Sequence, residues 1–321
     1  MTVKINSLAI SGLMTLEMHS LNNEGSEGNY LETRQVQVVD KNGQIHSVNA
    51  ISGDMLKHIQ AQHLYQISLE KGLPLCGPCK YFDANRIVAD QDFAGSFETG
   101  VADNEILTKA IQTCILDDCE GILITSEIGG KKRAIGRKSL VEFGWLVGRP
   151  EETVTESYFH VKYAPEGRGK GAGDATGAAN VGQNIFHRPA SSGRYAVVLN
   201  VDLYRLGRND ITLTYAMSHE ERLRRAQALL TSILNTFLKP TGAHRNTQNP
   251  HVLGFEGCVT LSSGSFPAPA ASALDASYIS EIETIAGSLN ELAPGVISLY
   301  RFASVGGFAE VMTRITRESE L

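Results

Sequence analysis

The sequence predicts an α+β fold, a sheet carrying helices and interrupted by insertions, and three observations predict it. Strand-like alternation recurs in both halves of the 321 residues. One amphipathic helix falls early, after residue 53, and one late, after residue 218, each between strands, which is the order of a four-stranded sheet backed by two helices. Two stretches, 72–119 and 160–188, have the wrong composition for a sheet and read as insertions.

The elements follow in order. Residues 3–18 alternate loosely, with Leu8, Ile10, Leu13, Leu16 and Met18 apolar, and predict a first core strand that ends in the polar His19, Asn22 and Asn23. Arg34 opens a second strand, TRQVQVVD, which Lys41-Asn42-Gly43 turns into QIHSVNAI as a hairpin. A helix from Asp54 to about Lys71 then places Met55, Leu56, Ile59, Leu64 and Ile67 on one face. Its start, Ser52-Gly53-Asp54, is a capping signal. The free amides of such a first turn, with Lys57 and His58 beside them, also make a seat for a phosphate.

From Gly72 to Cys119 the pattern is irregular and acidic, with one helix expected over Asn104 to Leu116. GILITSE, residues 121–127, returns to strand, and SEIGGKKRAIGRK forms a basic turn and its flank. His160 to Arg188 contains GRGKGAGDATGAANVGQN, too rich in Gly and Ala for a core, and reads as the outer part of a hairpin. Strand character resumes in RYAVVLNVDLYRL. A second helix follows, opened by Ser218 and Glu221 as a capping box, with Leu223, Ala226, Leu230, Ile233 and Phe237 on one face. The strands FEGCVTLSS and GVISLYRF flank a Pro/Ala linker and a short acidic helix.

A hydrophobic content of 42% supports one large core with insertions. No apolar run reaches membrane-spanning length and the N-terminus lacks a signal-peptide pattern, so no membrane and a cytoplasmic location are expected. The net charge of -6 argues against a nucleic-acid partner only if charge is evenly spread. Residues 83–127 hold ten acids and two bases, whereas 131–138, KKRAIGRK, hold five bases and no acid. That segregation suits a protein with one nucleic-acid face.

The motifs for catalysis are weak. CGPC, residues 76–79, has the thioredoxin tetrapeptide but follows a helix instead of a strand, the wrong context for a reactive thiolate. Cys76 and Cys79 with Cys114 and Cys119 can instead surround a structural zinc, or all four remain free reduced thiols, Cys114 as a small buried hydrophobe. GRGKGAG fits no nucleotide-binding fingerprint, and His219-Glu220-Glu221 lacks the second histidine of a metal helix because Leu223 stands there. Nothing singles out Asp40, Asp54 or Asp174 as a hydrolytic acid. GAHRNTQNPH, residues 242–251, is a polar loop whose His244, Arg245 and Asn246 suit phosphate or ribose.

The segments SLAISGLMTLEMHSLNNEG, VNAISGDMLKH, NIFHRPASSGRYAVVLNVDLYRLG and GAHRNTQNPHV, taken together and in this order, resemble the DevR-type CRISPR-associated autoregulator family, the repeated backbone subunit of type I Cascade complexes. The resemblance implies a modified RNA-recognition-motif (ferredoxin-like) palm with a helical finger insertion and a thumb β-hairpin. The bounds are then palm over 1–71, finger over 72–119, palm strand and basic turn over 120–156, thumb over 157–193, and the second half of the palm with C-terminal elements over 194–321. It implies a non-enzymatic protein that polymerises along a crRNA and presents its bases to target DNA, as a homo-oligomer beside other Cascade subunits. The RNA-binding candidates are His19, Asn22, Arg34, Ser52, Lys57, His58, Lys131, Lys132, Arg133, Arg137, Lys138, Arg168, Lys170, His187, Arg188, His244, Arg245 and Asn246. No paired aromatic signature appears on the central strands, so backbone contacts should dominate. No cofactor is required by this reading beyond the candidate zinc. A type III-like backbone ribonuclease, a zinc- or thiol-dependent protein centred on Cys76 and Cys79, and transcriptional autoregulation remain as alternatives. Antiviral interference and RNA-guided transposition would use the same subunit.

Overall fold

A computed structural model describes residues 3–163 and 183–321. Strand β1, Ser7–His19, is followed by the hairpin β2, Gln35–Val39, and β3, Ile45–Ile51, and by helix α1, Gly53–Lys71. The irregular segment contains two single 3-10 turns, a short helix Gln91–Gly95, and helices α2, Asp103–Thr113, and α3, Ile115–Glu120. The short strands β4, Ile122–Ile124, β5, Glu127–Ile128, β6, Lys131–Lys132, β7, Ile135–Arg137, and β8, Val141–Phe143, lead into the long β9, Leu146–Tyr163, and β10, Gln183–Val201. Helix α4, His219–Leu238, strand β11, His251–Ser262, helix α5, Tyr278–Leu292, strand β12, Ile297–Phe302, and helix α6, Val305–Glu318, follow.

The main sheet runs β12-β11-β1-β10-β9-β3-β2 with each neighbouring pair antiparallel, and β8 pairs with the C-terminal part of β10. Both faces of its centre are covered. Leu8, Ile10, Met14 and Leu16 of β1 enter the large core beneath α1, α4 and α6, whereas Leu13 meets Cys258, Tyr278 and Ile282 on the opposite side, under α5. A strand buried on both faces loses its polar alternation, which is why β1 reads as a nearly continuous apolar run.

Three local outcomes differ from the sequence reading. The helix expected over Asn104 to Leu116 is broken at Cys114, whose backbone is extended (φ -145°, ψ 122°). The amide of Ile115 donates to Pro74 O at 3.0 Å, so a contact distant in sequence outweighs helical continuity. The strand expected from GILITSE is the three-residue β4, which pairs with β7 in a two-stranded sheet apart from the main one. The capping box at α4 is half made: Ser218 Oγ accepts from the Glu221 amide at 3.2 Å, but the Glu221 carboxylate is taken by Arg224 and Arg225.

From Thr153↔Gly193 to Tyr163↔Gln183 β9 and β10 continue as a paired arm that runs past the end of β1 and is joined at His187 by the short strand Tyr30–Thr33. Arg168 and Lys170 lie outside the described residues. No helix among the described residues is long and apolar enough to cross a membrane.

Candidate nucleic-acid interface

The four segments that carry the family resemblance meet at one end of β1. Asn22 Oδ1 accepts from the Ser52 amide at 2.8 Å, and Ser52 Oγ in turn caps α1 by accepting from Met55 N. The loop after α4 is fastened to the same place, with Ala243 N donating to Leu21 O at 3.2 Å and His244 N to Ser20 O at 3.3 Å. Its far side is tied to the arm, where Gln248 Nε2 donates to Pro189 O and Arg188 donates to Thr247 Oγ1. Beneath lies a buried chain in which Tyr195 OH stands 2.9 Å from His19 Nε2 and donates to Asn49 Oδ1, while Asn49 Nδ2 donates to Arg34 O.

These bonds sort the sequence candidates. His19, Asn22 and Ser52 are buried and position the site instead of meeting a ligand. Burial pulls His19 down to about 4, so its ring is neutral near pH 7. At the α1 start a Cβ on Gly53 would lie 2.7 Å from the Phe143 carbonyl oxygen, so strand backbone packs against Gly53, and the Met55 amide is already taken by Ser52. Lys57 instead lines a cavity of about 230 Å³ with Asp54, His58, Phe82, Arg86 and Glu120. Burial lowers the Lys57 amine, and Glu120 opposes that shift.

The surface around the arm's base is aromatic and cationic. Tyr30 stacks on His187 with centroids 4.1 Å apart, Phe159 meets the same ring edge-on, and Arg188 lies over Phe186. Arg34 covers Trp145 at 4.8 Å. Arg245 and Asn246 are exposed on the adjoining loop, and His244 is half-buried beside Arg188. The sequence reading missed Tyr30, Phe159, Phe186 and Trp145. A signal existed: folding the Gly-rich segment about residue 173 sets Phe159 opposite His187 and His160 opposite Phe186, which is the observed register.

The basic stretch divides in two. Lys131, Lys132 and Lys138 are exposed, whereas Arg133 and Arg137 are buried, which corrects their assignment to RNA. Arg133 donates to Asp103, Ile128 O and Val101 O. Arg137 donates to both the carboxylate and the carbonyl of Asp118 and to Arg205 O and Arg208 O. Arg137 spends all five of its N–H donors in this way, and Arg133 spends three from a side chain that is 1% exposed, which leaves neither guanidinium presented at the surface.

Among the acids of α3, Asp118 is as fully committed. Asp118 also accepts from Arg225 at 3.0 Å and from the Gly207 amide. Asp117 faces Cys76, Cys79 and Cys114. Cys119, expected as the fourth thiolate, lies instead near Asp118, Arg137 and Arg225, where burial pushes its thiol up. Cys76 and Cys79 are buried too, so the CGPC thiols reach no external disulfide, against the thiol-dependent alternative.

What fold and site define is a mixed helix-and-sheet protein with a long two-stranded arm and an aromatic, cationic surface at its base. Residues 10–283 match the family described as CRISPR-associated negative auto-regulator DevR/Csa2, and the chain belongs to that family. A curated relative, CRISPR-associated protein Cas7/Csa2 1 of Saccharolobus solfataricus, is 23% identical over 246 residues, which cover 74% of this chain and 73% of the relative. Among solved structures, a CRISPR RNA-guided surveillance complex has a chain that is 11% identical with a TM-score of 0.47, covering 97% of this chain and 98% of that one. Csc2 of Thermofilum pendens is 13% identical with a TM-score of 0.35, covering 98% and 86%.

Proposed function

We propose that this chain is a non-catalytic backbone subunit of a type I CRISPR Cascade complex, several copies of which line a crRNA and leave its bases free to pair with target DNA. The observation that carries this reading is the convergence of β1's polar end, the α1 cap, the arm and the 242–248 loop into one hydrogen-bonded unit beneath exposed Arg245, Asn246 and half-exposed His187 and Arg188. The matched relative's name, Cas7/Csa2, is consistent with it.

The sheet supports a palm like an RNA-recognition motif. Its centre takes β11, β1, β10 and then β8 and β9, with α1 after the first strand and α4 after the third, the order of a ferredoxin-like βαββαβ unit. In this reading Arg188 and Arg245 neutralise guide phosphates, Tyr30 and Phe159 offer flat faces to bases or sugars, and the arm reaches a neighbouring copy. Partners are the crRNA, other Cascade subunits, further copies of the chain and, through the guide, target DNA, in the cytoplasm.

The test is purification without nuclease, followed by extraction and sequencing of the bound RNA. Guide-length RNA of uniform ends, recovered in reduced yield from an Arg188→Ala, Arg245→Ala variant that still folds, is expected. A chain that stays free of RNA when co-expressed with its guide and partner subunits overturns the proposal.

A further inference from the structure

Cys76, Cys79, Cys114 and Asp117 reach one point from two separate arms. The first pair lies in the turn beyond α1, and the second spans the start of α3. All four side chains are buried and their ligand atoms lie within 4.8 Å of one another. The arms are held by Ile115 N donating to Pro74 O at 3.0 Å, and the Cys76 turn is held by Gly77 N donating to Asp90 Oδ2 at 2.8 Å.

The donor spacing is that of a metal clasp. Two cysteines flank a two-residue turn, and Cys114 and Asp117, three apart across a helix start, face one side. A tetrahedral ion with metal–sulfur bonds of about 2.3 Å needs donor–donor edges of about 3.8 Å. Cys76 Sγ already stands 3.5 Å from Asp117 Oδ2. A second observation points the same way: Asp117 is only 1% exposed, and its Oδ1 has no hydrogen-bond partner. A buried carboxylate oxygen left without a partner is costly, and a bound cation removes that cost.

We propose that Cys76, Cys79, Cys114 and Asp117 form a closed structural zinc site that fastens the end of α1 to α3. Thiolates select zinc over magnesium or calcium, and four protein donors leave no open position for substrate. A four-iron cluster would need a fourth cysteine, and Cys119 lies with Arg137 and Arg225 instead. Thiols that bind the ion release their protons to water, and no electron moves. The inference goes beyond the guide-binding role and stands whether or not that role holds.

Metal analysis of the full chain, purified without a histidine tag, should find about one zinc per chain. Loading the zinc-depleted chain with cobalt(II) gives a second readout, because sulfur-to-cobalt charge-transfer absorption scales with the number of thiolate ligands. Three are expected in the unaltered chain and two in Cys114→Ser. Cys119→Ser should keep all three and keep its zinc, while Asp117→Asn should bind zinc at least about tenfold more weakly. If Cys114→Ser fails to fold, the unaltered chain's spectrum and the Cys119→Ser variant decide the matter. A folded chain that takes up neither zinc nor cobalt, or zinc lost from Cys119→Ser, overturns the proposal.

Discussion

The basic stretch at β6 and β7 and the base of the β9–β10 arm carry the same kind of charge and use it in opposite ways. Just before and within β7 the guanidiniums of Arg133 and Arg137 turn inward and bond to carbonyls and to Asp103 and Asp118. At the arm, Arg188 rests on Phe186 with one bond to Thr247, and Arg245 is exposed. The difference teaches that local cation density does not locate a phosphate-binding face. What counts is whether donors are already spent.

The comparison is broken most severely at Asp118. Asp118→Ala leaves Arg137 and Arg225 buried with their shared carboxylate gone, and should lower folding free energy by about 3–5 kcal/mol. Urea denaturation checks this, with Arg245→Ala as the counterpart, expected within about 0.5 kcal/mol of the unaltered chain.

The next effect comes from His19. Its folded ring titrates at about 4 against the usual 6.5, so above pH 6.5 both folded and unfolded rings are neutral and nothing is lost. As the pH falls from 6.5 towards 4 the unfolded ring takes a proton that the buried one refuses, and stability drops by at most about 3 kcal/mol. Denaturation of His19→Gln at pH 7.5 and 5 should show a smaller difference between the two conditions than the unaltered chain does. An equal difference would remove His19 from the account.

A smaller effect sharpens the arm's side of the comparison. Arg188→Ala with Arg245→Ala should weaken RNA binding about tenfold and flatten the salt dependence by about 0.7 per lost phosphate contact, with folding little changed. Smallest is the split within the basic stretch. Lys132→Ala should stay within about 0.5 kcal/mol in stability, whereas Arg133→Ala should destabilise measurably by stranding the carbonyls it serves. Equal stability of these two variants would erase the distinction between inward and outward cations.

Part of this was legible beforehand. The hairpin at Lys41-Asn42-Gly43, the α1 and α4 starts at Ser52 and Ser218, and the apolar face of α1 follow from local chemistry, and the structure places them as expected. The strand period was also available for the basic stretch: Arg133, Ile135 and Arg137 alternate with exposed neighbours and share one buried face. That period alone does not mark an inward arginine, because the side chain can be buried only where acceptors meet it. Those acceptors, Asp103, Asp118 and the carbonyls of Arg205 and Arg208, are scattered over more than a hundred residues.

The sequence by itself determined the mixed helix-and-sheet class, the two main helices, the paired arm and the family, because periodicity, capping and the order of its segments act locally or survive as pattern. Only the tertiary structure decided which charges are spent. It moved His19, Asn22 and Ser52 beneath the site, packed the Phe143 backbone against Gly53 at the α1 start, and exchanged Cys119 for Asp117 in the thiol cluster. The physical reason is common to all of these. Burial and hydrogen-bond partnership are set by residues far apart in the chain, and no short-range pattern encodes them.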